Sequence, residues 1–483
     1  MKTWTAAALL FGTSAVVLML EVLAGRLMAP YVGVSQETFT GIIGTVLAGI
    51  ALGAAVGGAL ADRYDPRRLI GPALVLGGAL AWASLPILRM LGPGVGTGAG
   101  AIVVLTAAAF LAPATVLSAV APMVAKLQIE SLDESGSVVG RVSAAGTFGA
   151  LAGTFLTGFV LVATLPTTWV VLLIGAVTIA AGVVQMVRRR RELRAEGTLG
   201  LVLPTAVFAI AAGTGAVLLA PPCDRETAYA CVRVEVDPER TSGRSLILDR
   251  TRHAYVDLED PTHLELRYVR LIAAVVDAST GDGALDALHL GGGGFSLPAY
   301  HEATRPGSTA TVLEIDPDLV EVARYDLGID TSTMDVVVGD ARLALPDQPD
   351  DAYDVVVGDA FASTSVPWHL TTVETIGEID RTLRPEGVYV MNVIDGGRNR
   401  YARAQLATLA EQFTYVTAIL PVGGVPEDRR VNQILIGSHE PIEGVVVDPG
   451  DGELLPPTEV AAFIDGARPL TDDFAPVDQL MLR

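Results

Sequence analysis

The chain has 483 residues, a formal net charge of −21, 51% hydrophobic residues and only 18% charged residues. This composition excludes a wholly soluble protein of this size, and the length predicts two or three domains. Residues 1–220 carry 13 Lys and Arg against 9 Asp and Glu, whereas residues 221–483 carry 20 against 45. Because phosphate neutralisation needs a basic surface, the acidic half excludes nucleic acid as a partner.

Seven apolar stretches in residues 1–220 are long enough to cross a bilayer, which takes about 20 residues as a helix. They predict a multi-pass transmembrane domain in the lipid bilayer of the cell membrane. In the second stretch, Gly49, Gly53, Gly57 and Gly58 recur at a spacing that lets helix backbones approach closely. The seven stretches are Thr5–Ala24, Thr38–Ala61, Leu69–Leu91, Ala101–Leu127, Val139–Ala163, Thr167–Val187 and Leu199–Ala220.

The second stretch ends in a segment, Gly57–Arg68, that resembles the loop motif of major facilitator superfamily transporters. Seven spans are fewer than that superfamily usually has, so a transport function is left open. Glu21 and Arg26 lie in or just beyond the first stretch. Ionisable groups at membrane depth are costly and indicate a function, although both residues lie near one end and can reach the interface instead.

Basic residues in the loops predict the orientation of the spans. With seven spans, the N-terminus and the more basic loops lie in the cytoplasm, and the C-terminal domain lies outside. Cys223 and Cys231, the only cysteines, are either a disulfide of an oxidising compartment or two free thiols. One span more or fewer would instead place the C-terminal domain in the cytoplasm. The predicted cytoplasmic basic residues are Lys2, Arg63, Arg67, Arg68, Lys126, Arg141, Arg188–Arg191 and Arg194.

Residues 221–284 predict a small β-hairpin region, because Tyr229–Leu248 alternates apolar and polar residues around a turn at Glu239–Gly243. From residue 285 to residue 483, short apolar runs alternate with helix-like segments, which predicts βα units and a parallel, Rossmann-type sheet. The predicted fold class is therefore a multi-pass α-helical membrane bundle plus an α/β soluble domain. Later segments are two strands, Val388–Val393 and Asn432–Gly437, and a loop near the site, Leu470–Pro476.

Four successive predicted strands end in glycine or an acid, at the edge of the sheet where ligands of open α/β folds bind. Glycines let the backbone turn tightly beside a nucleotide. Glu314 lies 23 residues past Gly291, where an acidic side chain can accept hydrogen bonds from ribose hydroxyls. The acids alternatively only cap the following helices. The strand ends are Gly291–Gly294, Glu314 with Asp316, Gly339–Ala341 and Gly358–Ala360.

Residues 223–483 resemble the spermidine synthase (polyamine aminopropyltransferase) family, in the bacterial form fused to membrane spans. The resemblance implies a methyltransferase-like fold and a transferase that uses decarboxylated S-adenosylmethionine, or S-adenosylmethionine, as co-substrate, with no tightly bound cofactor. It also implies a polyamine or another small cationic amine as acceptor, and a homodimer. The segments that carry it are Leu246–Asp249, Leu290–Gly294, Glu314–Asp316, Gly339–Ala341, and Asp359 followed by Pro367 and Leu370.

The same resemblance implies roles for individual residues, none of them metal ligation. Glu314 would hold the ribose and Asp340 would read the adenine. Asp359 would be the general base that accepts an amine proton. Tyr229 and His263 would bind the amine. The residues assigned to the co-substrate are Gly291, Gly292, Gly293, Glu314, Asp340 and Ala341.

The amine side of the site departs from the family. The Asp of the family's glycine loop is Gly294 here, and Asp359 is followed by Ala360–Ser363 without a second Asp. The family's Tyr-His-Glu segment falls on Thr262–Leu264, which keeps His263 but not the Tyr. Three functions stay open. They are aminopropyl transfer, S-adenosylmethionine-dependent methyl transfer, and a non-catalytic transporter or receptor that binds a polyamine or nucleoside.

Overall fold

The computed structural model describes residues 2–96, 98–129, 135–188, 199–361, 366–426 and 429–481. Contacts divide the chain into two compact units, Met1–Val232 and Arg233–Arg483. The domain boundaries at residues 220 and 284 stay predictions, since this division falls at a different residue. Of the residues discussed above, Arg189–Arg191, Arg194 and Ala362–Ser363 lie outside the described ranges.

The first unit is helical. Among the described residues, six helices are long and apolar enough to cross a membrane, and a further helix, whose apolar part is Pro204–Leu218, follows them. Each predicted stretch coincides with one helix, which is consistent with a membrane protein. The count of seven spans and the side of the membrane stay predictions. The helices are α1 Thr3–Val32, α2 Gln36–Arg63, α3 Pro66–Gly94, α4 Ala99–Gln128, α5 Gly136–Thr164, α6 Thr167–Arg188 and α7 Leu199–Leu218.

Glycines bring α2 directly against α4. A Cβ atom at Gly49 would lie 2.7 Å from the Cβ of Ala114, and one at Gly53 would meet the carbonyl oxygen of Thr115. Gly57 likewise faces α4, whereas Gly58 has open space around it. Such contacts exclude any larger residue at the three inward positions, because the two backbones touch. The predicted close approach is confirmed for these three glycines.

The segment after α7 contains the two cysteines. They form a disulfide, Cys223–Cys231, with Cα atoms 5.3 Å apart. Strand β1, Arg225–Glu226, pairs antiparallel with the start of strand β2, Cys231–Val236. Of the two alternatives for these cysteines, the structure has the bonded pair.

The predicted hairpin region is confirmed as a small antiparallel sheet with strand order β1-β2-β3-β4. Strands β3, Gly243–Leu248, and β4, Thr251–Asp257, form a hairpin whose turn contains Asp249 at φ 54°. Asp is one of the few residues other than glycine that tolerates this left-handed conformation. The β3–β4 hairpin belongs to the second unit.

The main sheet of the second unit has eight strands in the order β12-β10-β11-β9-β8-β5-β6-β7. The five strands β5 to β9 are parallel, as predicted, and β10 to β12 are antiparallel. The strands are β5 Asp286–Leu290, β6 Thr309–Glu314, β7 Asp335–Val338, β8 Tyr353–Gly358, β9 Leu383–Asp395, β10 Tyr415–Leu420, β11 Val431–Ser438 and β12 Glu453–Leu454.

The antiparallel strands β10 to β12 correct the expectation of a wholly parallel sheet. A parallel connection needs a crossover of about a dozen residues, usually a helix. The described residues between β10 and β11 contain no helix, so the chain returns beside the strand it has just left. The helices of this unit are α8 Arg267–Thr280, α9 Ser296–Thr304, α10 Pro317–Tyr325, α11 Ala341–Ala344, α12 Val373–Thr382, α13 Arg400–Leu409, α14 Pro457–Ile464 and α15 Val477–Met481.

Both faces of the main sheet are buried. In β8, Val355 and Val357 join an apolar cluster with α8 on one face, whereas Val356 joins the cluster with α12 and α13 on the other. Successive side chains of a strand point to opposite faces, so a strand covered on both sides reads as a continuous apolar run. The predicted fold class, a helical bundle plus a Rossmann-type α/β domain, is confirmed.

Candidate active site

A glycine loop, residues 291–294, leads from β5 into α9. Gly291 has φ +95°, and a Cβ atom there would lie 2.7 Å from the carbonyl oxygen of Asp359. Gly293 has φ +50°. Both backbone conformations favour glycine, and at Gly291 the neighbouring backbone also leaves no room for a side chain. The loop therefore passes directly over the carboxyl end of β8.

Glu314, the last residue of β6, holds this loop in place. Its side chain is 4% exposed. Oε2 accepts hydrogen bonds from the backbone amides of Gly292 at 2.8 Å and Gly293 at 3.3 Å, and Oε1 accepts one from Asp316 at 2.9 Å. Burial raises the pKa of the Glu314 carboxyl, and the three amides oppose that rise. Asp316 caps α10 by accepting from the amide of Asp318 at 3.1 Å, as the capping alternative predicted.

Asp359 follows β8 beside the loop. Its amide donates to the carbonyl oxygen of Leu290 at 3.0 Å, and its Oδ1 accepts from the side-chain amide of Asn392 at 2.8 Å. Burial raises the pKa of the Asp359 carboxyl to about 6, while hydrogen bonds from Asn392 and Tyr268 oppose the rise. A carboxyl with this pKa can take up and release a proton near neutral pH.

Asn392 orients Asp359 and was not predicted from the sequence. It lies on β9 and is 1% exposed. Its Oδ1 accepts a hydrogen bond from Asn432 Nδ2 on the adjacent strand β11 at 3.0 Å. That bond fixes the amide of Asn392 with its NH₂ group towards Asp359. The sequence feature that could have pointed to this residue is a single Asn inside the apolar run Val388–Val393.

Tyr268, in the first turn of α8, was also missed. Its hydroxyl donates to the carbonyl oxygen of His253 at 2.8 Å and lies within hydrogen-bonding reach of the Asp359 carboxylate. Burial and the charge of Asp359 raise the pKa of Tyr268 well above its ordinary value. The family's tyrosine falls on Thr262 in the sequence, whereas the structure brings Tyr268 to Asp359.

The residues predicted to bind the amine have other neighbours. His263 Nε2 lies 3.3 Å from Glu265 Oε2, and its ring lies 5.8 Å from the ring of Tyr255. Tyr229 belongs to the first unit and is 55% exposed. The roles of His263 and Tyr229 in amine binding stay predictions.

Asp340 and Ala341 follow β7 at the same edge of the sheet. Asp340 Oδ1 accepts from the amide of Arg342 at 2.8 Å and so caps α11, while Oδ2 lies 3.3 Å from His369 Nε2. Ala341 is buried. Arg342 pairs with Asp472 at 2.8 Å, which places the C-terminal loop beside this strand end, as predicted. The adenine-binding role of Asp340 and Ala341 stays a prediction.

The structure explains why position 294 is Gly, where the glycine loop of the spermidine synthase family has Asp. A Cβ atom at this position would collide with the Cβ of Ala254 on β4. An Asp at position 294 would therefore require β4 to move away from the glycine loop. The close packing of β4 against the loop thus accounts for the lost carboxylate.

A histidine pair behind the glycine loop predicts acid sensitivity. His289 of β5 and His301 of α9 are buried with ring centroids 6.2 Å apart, and His289 Nε2 and both His301 nitrogens lack partners among the described residues. Burial lowers the pKa of His289 to about 3 and that of His301 to about 4, the latter helped by Arg305 and opposed by Asp277.

Since an unfolded histidine has a pKa of about 6.5, the unfolded state binds more protons below that pH. Stability is thus full above pH about 6.5 and is lost as the pH falls towards 4, by about 2 kcal/mol per histidine at pH about 5. Hydrogen exchange of the β5 amides in the full chain should accelerate between pH 7 and pH 5, after correction for the intrinsic rate. Unchanged protection would contradict the prediction, and His301→Leu should weaken the pH dependence.

Comparison with known proteins finds similarity in part of the chain. Residues 288–391 match a family described as a methyltransferase domain. A polyamine aminopropyltransferase from Chromobacterium violaceum is 27% identical over 177 residues, which cover 36% of this chain and 66% of that protein. One from Vibrio vulnificus is 33% identical over 108 residues, which cover 22% and 36%. The chain thus spans less than two thirds of either relative.

The chain also has similarity to a solved structure. A probable spermidine synthase from Corynebacterium glutamicum is 27% identical, with a TM-score of 0.49, and the match covers 52% of this chain and 97% of that one. The methyltransferase-domain match covers the glycine loop, Glu314 and Asp359. In this part of its length the chain is therefore similar to methyltransferase domains and to polyamine aminopropyltransferases.

Proposed function

We propose that the second unit transfers an aminopropyl group from decarboxylated S-adenosylmethionine to a small amine. The observation that carries the proposal is Asp359, a carboxylate with a pKa of about 6 at the point where the glycine loop crosses β8. The matched relatives are named polyamine aminopropyltransferases, which supports the same reaction class.

The reaction needs few groups from the protein. The amine nitrogen attacks the carbon next to the sulfonium sulfur, the carbon–sulfur bond breaks, and 5′-methylthioadenosine leaves. The nitrogen then loses a proton to a base. The Asp359 carboxylate takes that proton, and Asn392 holds Oδ1 so that the carboxylate keeps one orientation. Positioning of the two reactants supplies the rest of the rate acceleration.

Glu314 can bind the ribose of the donor without releasing the loop. An ionised carboxylate offers about four lone-pair positions. Backbone amides occupy three of them, from Gly292, Gly293 and Asp316. The remaining position can accept a hydrogen bond from one ribose hydroxyl. The same carboxylate would then fix both the glycine loop and the nucleoside beside it.

Tyr268 would change its hydrogen-bond partner as Asp359 gains and loses the amine proton. Its hydroxyl has one hydrogen and two acceptors within reach, the His253 carbonyl oxygen and the Asp359 carboxylate. When Asp359 is ionised, the hydroxyl can donate to it and stabilise the base. When Asp359 has taken the amine proton, the hydroxyl can turn to His253 and accept from the protonated carboxyl. This exchange needs no movement of the backbone.

Methyl transfer from S-adenosylmethionine is the second candidate, favoured by the methyltransferase domain matched over residues 288–391. The absence of an acid at Gly294 and Ala362 also suits a reaction with no aminopropyl nitrogen to bind. The non-catalytic transporter or receptor would gain support if C-terminal reporters placed the second unit outside the cell, because sulfonium donors are made in the cytosol.

Product analysis separates the candidates. The full chain, purified in detergent, is incubated with putrescine and either decarboxylated S-adenosylmethionine or S-adenosylmethionine. We expect 5′-methylthioadenosine and an aminopropylated amine from the first donor only. Formation of S-adenosylhomocysteine from the second donor would replace the proposal with methyl transfer. No product from either donor, in a chain that binds 5′-methylthioadenosine, would favour the non-catalytic function.

A further inference from the structure

Arg252, on strand β4 of the second unit, has a guanidinium group that makes no hydrogen bond to the part of the chain that the structure describes. The group lies 3.8 Å from Glu265 Oε1, which is longer than a hydrogen bond, and its Cζ atom lies 5.5 Å from the centre of the Tyr255 ring. The side chain is 40% exposed. Its N–H donors are therefore held in one region of the surface and stay available to a ligand.

Neighbouring arginines of the same unit differ from Arg252 in this respect. Arg240 pairs with the buried carboxylate of Asp257, and Arg270 pairs with Asp451 at 2.8 Å. Both hold one segment of the chain against another, so their presence has a structural explanation. Arg252 has no such hydrogen-bonded partner within the described ranges.

Arg252 lies next to the candidate base in the structure. The Tyr268 hydroxyl donates to the carbonyl oxygen of His253, the following residue of β4, and lies within hydrogen-bonding reach of the Asp359 carboxylate. A single hydroxyl group therefore links the backbone of β4 to Asp359. Burial and the charge of Asp359 raise the pKa of Tyr268, and the charge of Arg252 opposes that rise. Arg252 and Asp359 thus act on the same hydroxyl group.

His253 adds an unpaired polar atom beside Arg252. Its Nε2 atom is buried and has no hydrogen-bond partner among the described residues. Burial lowers the pKa of this imidazole to about 4, so the ring is neutral near neutral pH and contributes no charge. Leaving a buried polar atom unpaired costs free energy, which a ligand with a polar group at this place would recover.

The charges near Asp359 are unfavourable for a diamine. The family's additional acids are replaced by Gly294 and Ala362, so neither position can hold the far ammonium group of a diamine. Glu265 is already engaged, because its Oε2 atom lies 3.3 Å from His263 Nε2. An ammonium group near Arg252 would be repelled by the guanidinium. A carboxylate would be attracted, and a guanidinium can donate two parallel hydrogen bonds to it.

We propose that Arg252 selects the acceptor, and that the preferred acceptor is an amine that carries a carboxylate at its other end. The inference rests on the aminopropyl transfer proposed above and narrows its acceptor. The guanidinium binds the carboxylate while the amine reaches Asp359. The amine nitrogen bonds to the carbon next to the sulfonium, the electron pair of the broken carbon–sulfur bond goes to sulfur, and Asp359 takes the proton. The carboxylate of the acceptor stays ionised throughout.

Three acceptors with the same four-carbon chain test the proposal in the full chain purified in detergent. The far end carries an ammonium group in putrescine, no charged group in butylamine and a carboxylate in 4-aminobutyrate. Release of 5′-methylthioadenosine from decarboxylated S-adenosylmethionine gives kcat/KM for each amine. The value for 4-aminobutyrate should exceed that for butylamine by about tenfold to a hundredfold, as expected for a hydrogen-bonded charge pair, and putrescine should be the slowest of the three.

Variants of Arg252 test whether this residue sets the order. Arg252→Gln removes the charge and should make 4-aminobutyrate and butylamine about equal as acceptors. Arg252→Lys keeps the charge without the paired donors and should retain part of the preference. Arg324→Gln, the same substitution at an exposed position of α10, should leave the preference unchanged. Because a ratio between two acceptors is measured, a loss of folded protein would lower both rates and leave the ratio as it was.

The outcomes distinguish this inference from the proposed function. Fastest turnover with putrescine in the wild-type chain, or a preference for 4-aminobutyrate that Arg252→Gln leaves unchanged, would overturn the role of Arg252 while aminopropyl transfer stands. No release of 5′-methylthioadenosine with any of the three amines would contradict aminopropyl transfer itself, and the inference would be lost with it.

Discussion

The Asp359→Asn variant should form product about 10²–10⁴ times more slowly than the wild-type chain, the range measured for loss of a general base. The amide keeps the size of the carboxylate but cannot accept the amine proton. The new amide turns either its NH₂ group or its one oxygen towards Asn392. In the wild type, the side-chain amide of Asn392 donates a hydrogen bond to Asp359. Initial rates of 5′-methylthioadenosine release at saturating donor and amine would measure the loss.

The matched control is Asp351→Asn, the same chemical change at an exposed carboxylate with φ 48°, a conformation that Asn tolerates. It should leave the rate unchanged.

In the wild type, kcat/KM should fall about tenfold per pH unit below about pH 6, because the base must be ionised. Tyr268→Phe removes a hydrogen bond that lowers the pKa of Asp359. In this variant the fall of kcat/KM on the acid side should therefore begin at a higher pH. A D359N variant with wild-type turnover would show that Asp359 is not the base.

Replacing Glu314 with Gln should weaken binding of the adenosyl group by about tenfold to a hundredfold. In the wild type both carboxylate oxygens accept from backbone amides, two at Oε2 and one at Oε1. Gln has one acceptor oxygen, so its NH₂ group must face at least one of these amides. The neutral side chain then has no charged oxygen left for the ribose hydroxyl, and loss of a hydrogen bond to a charged acceptor costs about 1.5–3 kcal/mol, which corresponds to that loss of affinity.

Calorimetric titration with 5′-methylthioadenosine would measure the change in Kd without requiring turnover. Glu411→Gln, an exposed position at the end of α13, is the control for the same substitution and should bind as the wild type does. A single cooperative melting transition of E314Q, at a lower temperature than in the wild type, would show that the unit is still folded. Unchanged affinity in a folded E314Q variant would remove Glu314 from the nucleoside site.

The sequence by itself determined the features that depend on local pattern. Six of the long apolar stretches are helices of membrane-spanning length because length and composition alone decide that property. Strands β5 to β8 and the glycine loop were also predictable, since continuous apolar runs ending in glycine or an acid have few other structural solutions. Glu314 and Asp359 were found for the same reason: each directly follows or ends such a run.

Only the tertiary structure decided which side chains complete the site. Asp359 meets Tyr268 and Asn392 because α8 packs against the sheet and β9 lies next to β8. These neighbours are distant in sequence, so no local pattern connects them. The crowding of Gly294 by Ala254 was hidden for the same reason. Strand order and packing, which arise from contacts across the whole chain, thus set the surroundings of Asp359, a carboxylate that its own sequence segment had already singled out.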